Sequence, residues 1–326
     1  MSRAVNALVA LLASIVAALI SSSAFAQDYP NRPVRIIVPF AAGGPADVYA
    51  RFLGLRLQEA LGQPFVVDNR PGGGSVIGTD AVAKSAADGY TLLMMSNTHT
   101  VNESLMQNKP YQLMRDFVAV APVNSSDLLL VVHPSVKASS VAELVAEAKA
   151  QPGKMSYASS GPGTPYHMAG ELFKAMAGVD ILHVPYKGSA GARTDILGGQ
   201  VQMMFDAVTV MAPHAREGKV KALATSGAAR SNVLPTVPTV SESGVPGYVA
   251  TIWLGVMAPK NTPPAIVNRL NAEIVKIVSQ PQVTTDWEKQ GAVAMKMSPQ
   301  EFEKYMNADI VKWERIVKIS GAKPDQ

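Results

Sequence analysis

Residues 40–46, FAAGGPA, are the first in the chain whose types and spacing could do chemistry. They follow the β-forming run VRIIVP and precede a long helical pattern that starts at Pro45 and stops at Gly62. A strand, a loop of small residues and a helix N-terminus in succession aim unpaired backbone N–H groups and the positive end of a helix dipole at one point, which suits an anion. Ala41, Ala42, Gly43 and Gly44 leave room for that anion to lie against the main chain, with Gly43 bare because the ligand rests on its backbone. Asp47, in the first helical turn, is expected to stabilise the N-terminus without touching the anion.

The chain echoes this design once. Residues 154–178, KMSYASSGPGTPYHMAGELFKAMAG, again run strand, glycine loop, helix and glycine stop, and here Ser159, Ser160, Gly161 and Thr164 add hydroxyl donors. Glycine loops join strands to helices in many α/β folds because glycine supplies unusual backbone angles, so the echo alone does not establish a site.

Motifs for catalysis are missing. GxSxG does not occur, which removes the nucleophile elbow of the α/β-hydrolases. Residues 72–78, GGGSVIG, approach the dinucleotide fingerprint, but the last glycine falls one place late, and a turn opening a short helix is the better reading. Lys187-Gly188-Ser189 follows no GxxxxG, so a nucleotide phosphate loop is not expected. His167 beside Ser160 and Thr164 is the one candidate base–hydroxyl pairing for a hydrolase. With no cysteine, thiolate nucleophiles, disulfides and cysteine metal sites are excluded, and the five histidines show no ligand spacing. Neither cofactor nor metal is expected.

The elements that must carry these loops alternate along the chain in an α/β pattern. Strands are predicted at 34–39, 65–68, 91–96, 127–133, 155–158, 181–185, 201–205, 220–225 and 253–258, with helices between them. Capping boxes open two helices, Ser140 with Glu143 and Ser298 with Glu301, the second with Pro299 at its first position.

Residues 1–26 read as an export signal: Arg3, an apolar run, then small residues at Ala24 and Ala26, with cleavage predicted after Ala26. The mature chain then has 326 − 26 = 300 residues, enough for two cores. Its formal charge is 28 − 25 = +3, and its basic residues are scattered, so nucleic acid is not an expected partner.

Seven segments in one order, among them YPNRPVRIIVPFAAGGPADVYAR, VVDNRPGGGSVIG, SYASSGPGTPYHMAGELF, HVPYKGSAGARTDILGGQV and LPTVPTVSESGVPGY, closely resemble the Bug family. These are the substrate-binding receptors of tripartite tricarboxylate transport systems. The resemblance implies an α/β, two-lobed periplasmic-binding-protein fold of type II-like topology, with ligand held in the cleft between lobes. It implies one lobe from 27–127 plus 255–326 and another from 128–254, with the two echoed loops facing each other.

The site it implies comprises Phe40, Ala41, Ala42, Gly43 and Gly44 from the first loop, Asn97 after a strand, Ser159, Ser160, Gly161, Thr164 and His167 from the second loop, and Asp206 at a strand end. Asp206 would orient a water or a ligand hydroxyl, or else cap the helix that follows. Arg193 is expected to be a solvated helix residue, its other reading being a cationic partner for a second carboxylate. The implied function is non-enzymatic capture of a small organic carboxylate by a monomer that delivers it to large and small membrane subunits. A sensor signalling to a membrane kinase would have the same soluble chain. Aliphatic di- and tricarboxylates, amino acids and aromatic acids all remain open as ligands, with Phe40, Tyr166, Phe205 and Trp253 the aromatic residues near the expected cleft.

Overall fold

The computed structural model describes residues 29–320 and 322–324, so the expected signal segment lies outside the described residues. The strands are β1 (Val34–Val38), β2 (Phe65–Asn69), β3 (Thr91–Ser96), β4 (Phe117–Val132), β5 (Ser156–Ser159), β6 (Leu182–Pro185), β7 (Met203–Ala207), β8 (Lys221–Thr225), β9 (Thr251–Pro259) and β10 (Ala292–Ala294). The helices are α1 (Pro45–Leu61), α2 (Val76–Ala83), α3 (Thr98–Leu105), α4 (Leu113–Asp116), α5 (Val141–Ala150), α6 (Pro165–Ala177), α7 (Ser189–Leu197), α8 (Val208–Arg216), α9 (Pro264–Val278), α10 (Pro281–Gln290) and α11 (Pro299–Ser320).

All ten strands join one continuous sheet with the order β2-β1-β3-β9-β4-β7-β5-β6, and β8 and β10 pair on β4. In β1 the sequence VRIIV is buried at four of five positions, as expected of a parallel strand covered on both faces. β4 is the connecting element. From Phe117 to Asp127 it pairs with β9, and from Leu128 to Val132 with β7 and β8. Each end of the sheet is therefore a separate parallel unit, β2-β1-β3 and β7-β5-β6, joined by the antiparallel pair β4 and β9.

β4 begins ten residues before the predicted strand at 127–133. Pro122 and the polar run Asn124-Ser125-Ser126 interrupt the apolar pattern there, and the chain absorbs them as register shifts at Ala119/Ala121 and Pro122/Asn124.

α11 ties the two units together. Its first half puts Phe302 and Met306 into one core cluster, and its second half puts Trp313 and Ile316 into another that contains Leu128, Tyr157 and Phe205. At the middle sits Asp309, buried, accepting from Thr100 Oγ1 at 2.7 Å and from the indole N–H groups of Trp253 and Trp313, both at 3.1 Å. Phe205 and Trp253, expected near the cleft, are both core residues.

Candidate functional site

The two echoed segments fold alike. α1 and α6 each begin with proline in the first turn and end on a left-handed glycine, Gly62 at φ 73° and Gly178 at φ 63°. Of the two predicted capping boxes, Ser298 and Glu301 exchange bonds in both directions, while at the other Glu143 N–H donates to Ser140 Oγ but the Glu143 carboxylate accepts from Ser139 N–H. β3, β9, β4 and β7 are antiparallel in turn, so the two parallel units run in opposite directions at the two ends of β4, and the loops that follow β1 and β2 face those that follow β5 and β6, each set at the C-terminal strand ends where an open α/β fold holds its ligand.

There the loops enclose a cavity of about 650 Å³. Its wall comes from both parallel units: residues 39–41, 44–46 and 71–75 from one, 160–162, 164–166 and 186–189 from the other, with Ile252 and Leu254 of β9 between them. Four helix N-caps stand in that wall, Gly44, Ser75, Thr164 and Gly188. Only Thr164 caps its helix with a side chain; at α1, α2 and α7 no side chain takes the first-turn N–H groups. At α2 the N–H groups of Val76 and Ile77 donate to the Gly73 and Gly72 carbonyls, so it is the uncapped ends of α1 and α7 that bring partial positive charge and open donors to the cavity wall without side-chain cations.

The two sides also touch. A Cβ built on Gly188, whose φ is +152°, would lie 2.8 Å from Ala41 Cβ, and one on Gly44 would lie 3.4 Å from Ser189 Oγ. Only a residue without a side chain at position 188 lets the loop after β6 come this close to the loop after β1.

Of the residues expected at the site, Phe40, Ala41, Gly44, Ser160, Gly161 and Thr164 line the cavity; Asn97, Ser159, His167 and Asp206 are buried outside its lining, and Ala42 and Gly43 are exposed to solvent. Ala42 does not reach the wall, and Gly43 has a different reason to be glycine: its φ is +79° and its N–H donates to Asp47 Oδ2 at 3.0 Å. Asp47 is buried and also pairs with Arg51 at 2.9 Å. Burial pushes its carboxyl up, but Arg51 and the Gly43 N–H outweigh this and hold it below the ordinary value.

The Thr164 hydroxyl is spent on its own loop, donating to the Gly161 carbonyl at 2.7 Å and accepting from His167 N–H at 3.4 Å. Asn97 donates to the Thr251 carbonyl at 3.0 Å, tying the start of α3 to β9. Ser159 is buried, with its Oγ 2.7 Å from His183 Nε2 and accepting from Gly161 N–H at 3.1 Å. His167 accepts from Gly163 N–H through Nδ1 at 3.1 Å, so it braces the loop and makes no hydrogen bond to a hydroxyl of Ser160.

Asp206 is fully buried and bonded to Arg193 Nε at 2.6 Å. Arg193 corrects the expectation of a solvated helix residue: its side chain is 12% exposed, and its second nitrogen donates to Ser189 Oγ at 2.8 Å. Asp206 itself accepts from Ala207 N–H at 2.8 Å. Burial pushes its carboxyl up and Arg193 pulls against that rise. The Tyr166 hydroxyl lies beside this pair.

Sequence reasoning missed residues 71–75 and 186–187 as wall, although 72–78 was correctly read as a turn into a short helix. The signal was present: PGGGS follows a parallel strand as FAAGG does, and Ser75 at φ +78° is the one left-handed residue that is not glycine among those described.

Behind the second loop the imidazoles of His167 and His183 stack at 4.2 Å, and Tyr157 stacks on His183 at 4.9 Å. Burial lowers His167 to about 4 and His183 to about 3, the latter with help from its neighbour, and lowers buried His99 to about 4. The unfolded chain takes up these protons near 6.5 while the folded chain refuses them, so stability is lost as pH falls from about 6.5 toward 4. Asp47 adds a further loss only below its ordinary value of 3.8. Calorimetric melting points should therefore fall steadily from pH 7 to pH 4, with proton uptake on unfolding; a melting point unchanged between pH 7 and 5 would contradict the buried neutral pair.

Comparison with known proteins bears on this geometry. The family model described as the tripartite tricarboxylate transporter family receptor matches residues 49–322. The chain belongs to that family. The receptor is 42% identical to protein BugT of Bordetella pertussis strain Tohama I, over 95% of each chain. Among solved structures it resembles Rpa4515 of R. palustris with adipate, at 36% identity and a TM-score of 0.88, covering 91% of this chain and all of that one. It also resembles MatC of Rhodopseudomonas palustris with bound malate, at 31% identity and a TM-score of 0.84, covering 89% of this chain and all of that one. The receptor thus has the two-lobed α/β fold of periplasmic binding proteins, and its family is one of solute-binding receptors, not enzymes.

Proposed function

We propose that the protein captures a small organic carboxylate between two lobes in the periplasm, closes on it, and presents the closed form to the large and small membrane subunits of a tripartite transporter. The observation that carries this reading is the cavity wall: four helix N-caps from both parallel units, three of them uncapped by side chains, surround one space. The adipate and malate of the two related structures are ligands of the same chemistry.

In this reading the lobes are 27–127 plus 255–326 and 128–254, hinged where β4 changes partners and where β9 begins, and a monomer suffices for capture. Phe40, Ala41, Gly44, Ser160, Gly161 and Thr164 face the ligand, while Gly43, Asn97, Ser159, His167 and Asp206 hold those loops in shape. Residues 1–26 direct export, and cleavage after Ala26 releases the mature chain. No helix among the described residues is long and apolar enough to cross a membrane.

The test is a thermal-shift screen of carboxylates. A ligand at 100 times its Kd should stabilise the folded chain by about 2.7 kcal/mol. A family of aliphatic and aromatic carboxylates that leaves the melting point unmoved at millimolar concentration would refute the reading.

A further inference from the structure

Donors from three elements converge on one oxygen of Asp309: the Thr100 hydroxyl of α3 at 2.7 Å, and the indole N–H groups of Trp253 in β9 and Trp313 in α11, both at 3.1 Å. The carboxylate is buried and lies outside the cavity wall. Both indoles are anchored by packing of their own. The Trp253 ring meets Phe302 and Tyr305 edge-on, with centroids 5.6 and 5.4 Å away, and Trp313 is buried in the cluster that holds Leu128, Tyr157 and Phe205.

Thr100 stands on α3, a helix of eight residues. A helix of two turns is not stable by itself, so its placement depends on what it packs against and bonds to. α3 is also where the first parallel unit bears on the second. Val101 and Leu105 are buried in the same cluster as Tyr157 and Phe205, Asn102 donates to the Gly74 carbonyl at 2.8 Å, and Met106, just past the helix, lines the cavity. A Cβ built on Gly163, in the loop after β5, would lie 2.6 Å from Asn102 Oδ1 and 3.0 Å from Leu105 Cδ2. That loop therefore seats directly on α3, and the position of α3 fixes where the loop can stop.

We propose that Asp309 is a positioning residue for ligand capture: through Thr100 it holds α3 as the surface on which the Gly163 loop seats when the two lobes close. This rests on the lobe-closure reading above and adds to it a group outside the cavity wall. The Thr100 hydroxyl has one hydrogen to give, and the other acceptor in reach, the Asn97 carbonyl at 2.8 Å, already takes the Val101 N–H. The Asp309 carboxylate is thus the acceptor that depends on it. Without that bond α3 can shift, the closed arrangement loses its seat, and bound ligand leaves sooner.

The experiment uses the full mature chain, whose sequence contains no cysteine, so two introduced cysteines carry spin labels at known places. Val48→Cys on α1 and Thr194→Cys on α7 are exposed positions on helices that start at Gly44 and Gly188, on opposite sides of the cavity. Pulsed paramagnetic resonance gives the distance between labels as malate or adipate is titrated in, and stopped flow gives the dissociation rate. Thr100→Val removes the bond to Asp309 and keeps the shape, while Thr100→Ser keeps the hydroxyl. Thr262→Val is the control, because it also removes a buried hydroxyl bond, to the Pro259 carbonyl at 2.8 Å in the turn after β9. In the labelled parent a short distance should grow with ligand. Thr100→Val should show less of it and release ligand about tenfold faster, while Thr100→Ser and Thr262→Val stay within about twofold of the parent. Closure and release in Thr100→Val equal to the parent, or the same loss in Thr100→Ser or Thr262→Val, overturns the role of Asp309 and leaves the closure reading intact. A parent with no short distance at any concentration of malate or adipate overturns the closure reading and this inference with it.

Discussion

Gly188→Ala should weaken ligand binding by about 100-fold or more while the chain still folds. The added Cβ would lie 2.8 Å from the Cβ of Ala41, well inside van der Waals contact, and those two atoms belong to loops from opposite parallel units. Neither loop can retreat alone, because Ala41 is followed by the bonded turn at Gly43 and Asp47, and Gly188 by Ser189 and its bond from Arg193. Relief comes from separating the two sides of the cavity, which removes donors from the ligand.

The backbone of Gly188, at φ 152° and ψ 165°, lies in a region nearly reserved for glycine and adds a cost of about 1 to 3 kcal/mol. Gly43→Ala shows what a positive-φ backbone cost does without a clash. Gly43 has a positive φ as well, but a Cβ there meets nothing within 4 Å, so this variant should lose about 1 kcal/mol of stability and keep affinity within a few-fold. Ligand titration and thermal melting on both variants separate the two effects. Normal binding by Gly188→Ala would mean that the loops need not meet for the ligand to be held.

The second large effect is on stability. Asp206→Ala removes the only ion-pair partner described for Arg193 and leaves a guanidinium with 12% of its side chain exposed to satisfy itself, which costs about 3 to 5 kcal/mol. Affinity should fall too, since Arg193 holds Ser189 Oγ at the cavity wall. Replacing both partners by apolar groups of similar size, Asp206→Leu with Arg193→Met, should recover most of the lost stability, because no buried charge is then unpaired. Recovery of stability without recovery of affinity would assign the pair to positioning the wall. An unchanged melting point in the single variant would contradict the buried pair altogether.

These residues also mark where the sequence could be read and where it could not. The first and fifth strands, their glycine loops and the following helices were legible because each signal is local: a run of β-formers, proline in the first helical turn, a left-handed glycine at the end. The capping boxes were legible for the same reason. The Arg193–Asp206 pair was not, because the partners are 13 residues apart on a helix and a strand, and an arginine near a helix start ordinarily faces water. Thr164 was read as a hydroxyl donor to the ligand, and its use as a cap on its own helix depends on loop closure around Gly161 that spacing alone does not fix. The first ten residues of β4 were hidden by Pro122, since only the β9 register shows how the strand accommodates it.

The central claim is that the cavity recognises the negative charge of a carboxylate through backbone N–H groups at helix N-termini. Its most direct test is a calorimetric comparison of the tightest carboxylate from the thermal-shift screen with the primary amide of the same skeleton, at one ionic strength. The amide has nearly the same shape, but it brings donors to a wall of donors and lacks the charge that the helix ends favour. An unmatched buried group costs about 1 to 3 kcal/mol, so the amide should bind roughly tenfold to a hundredfold more weakly. Equal affinity for acid and amide would show that shape alone fills the cavity, and that the uncapped helix ends do not select its ligand.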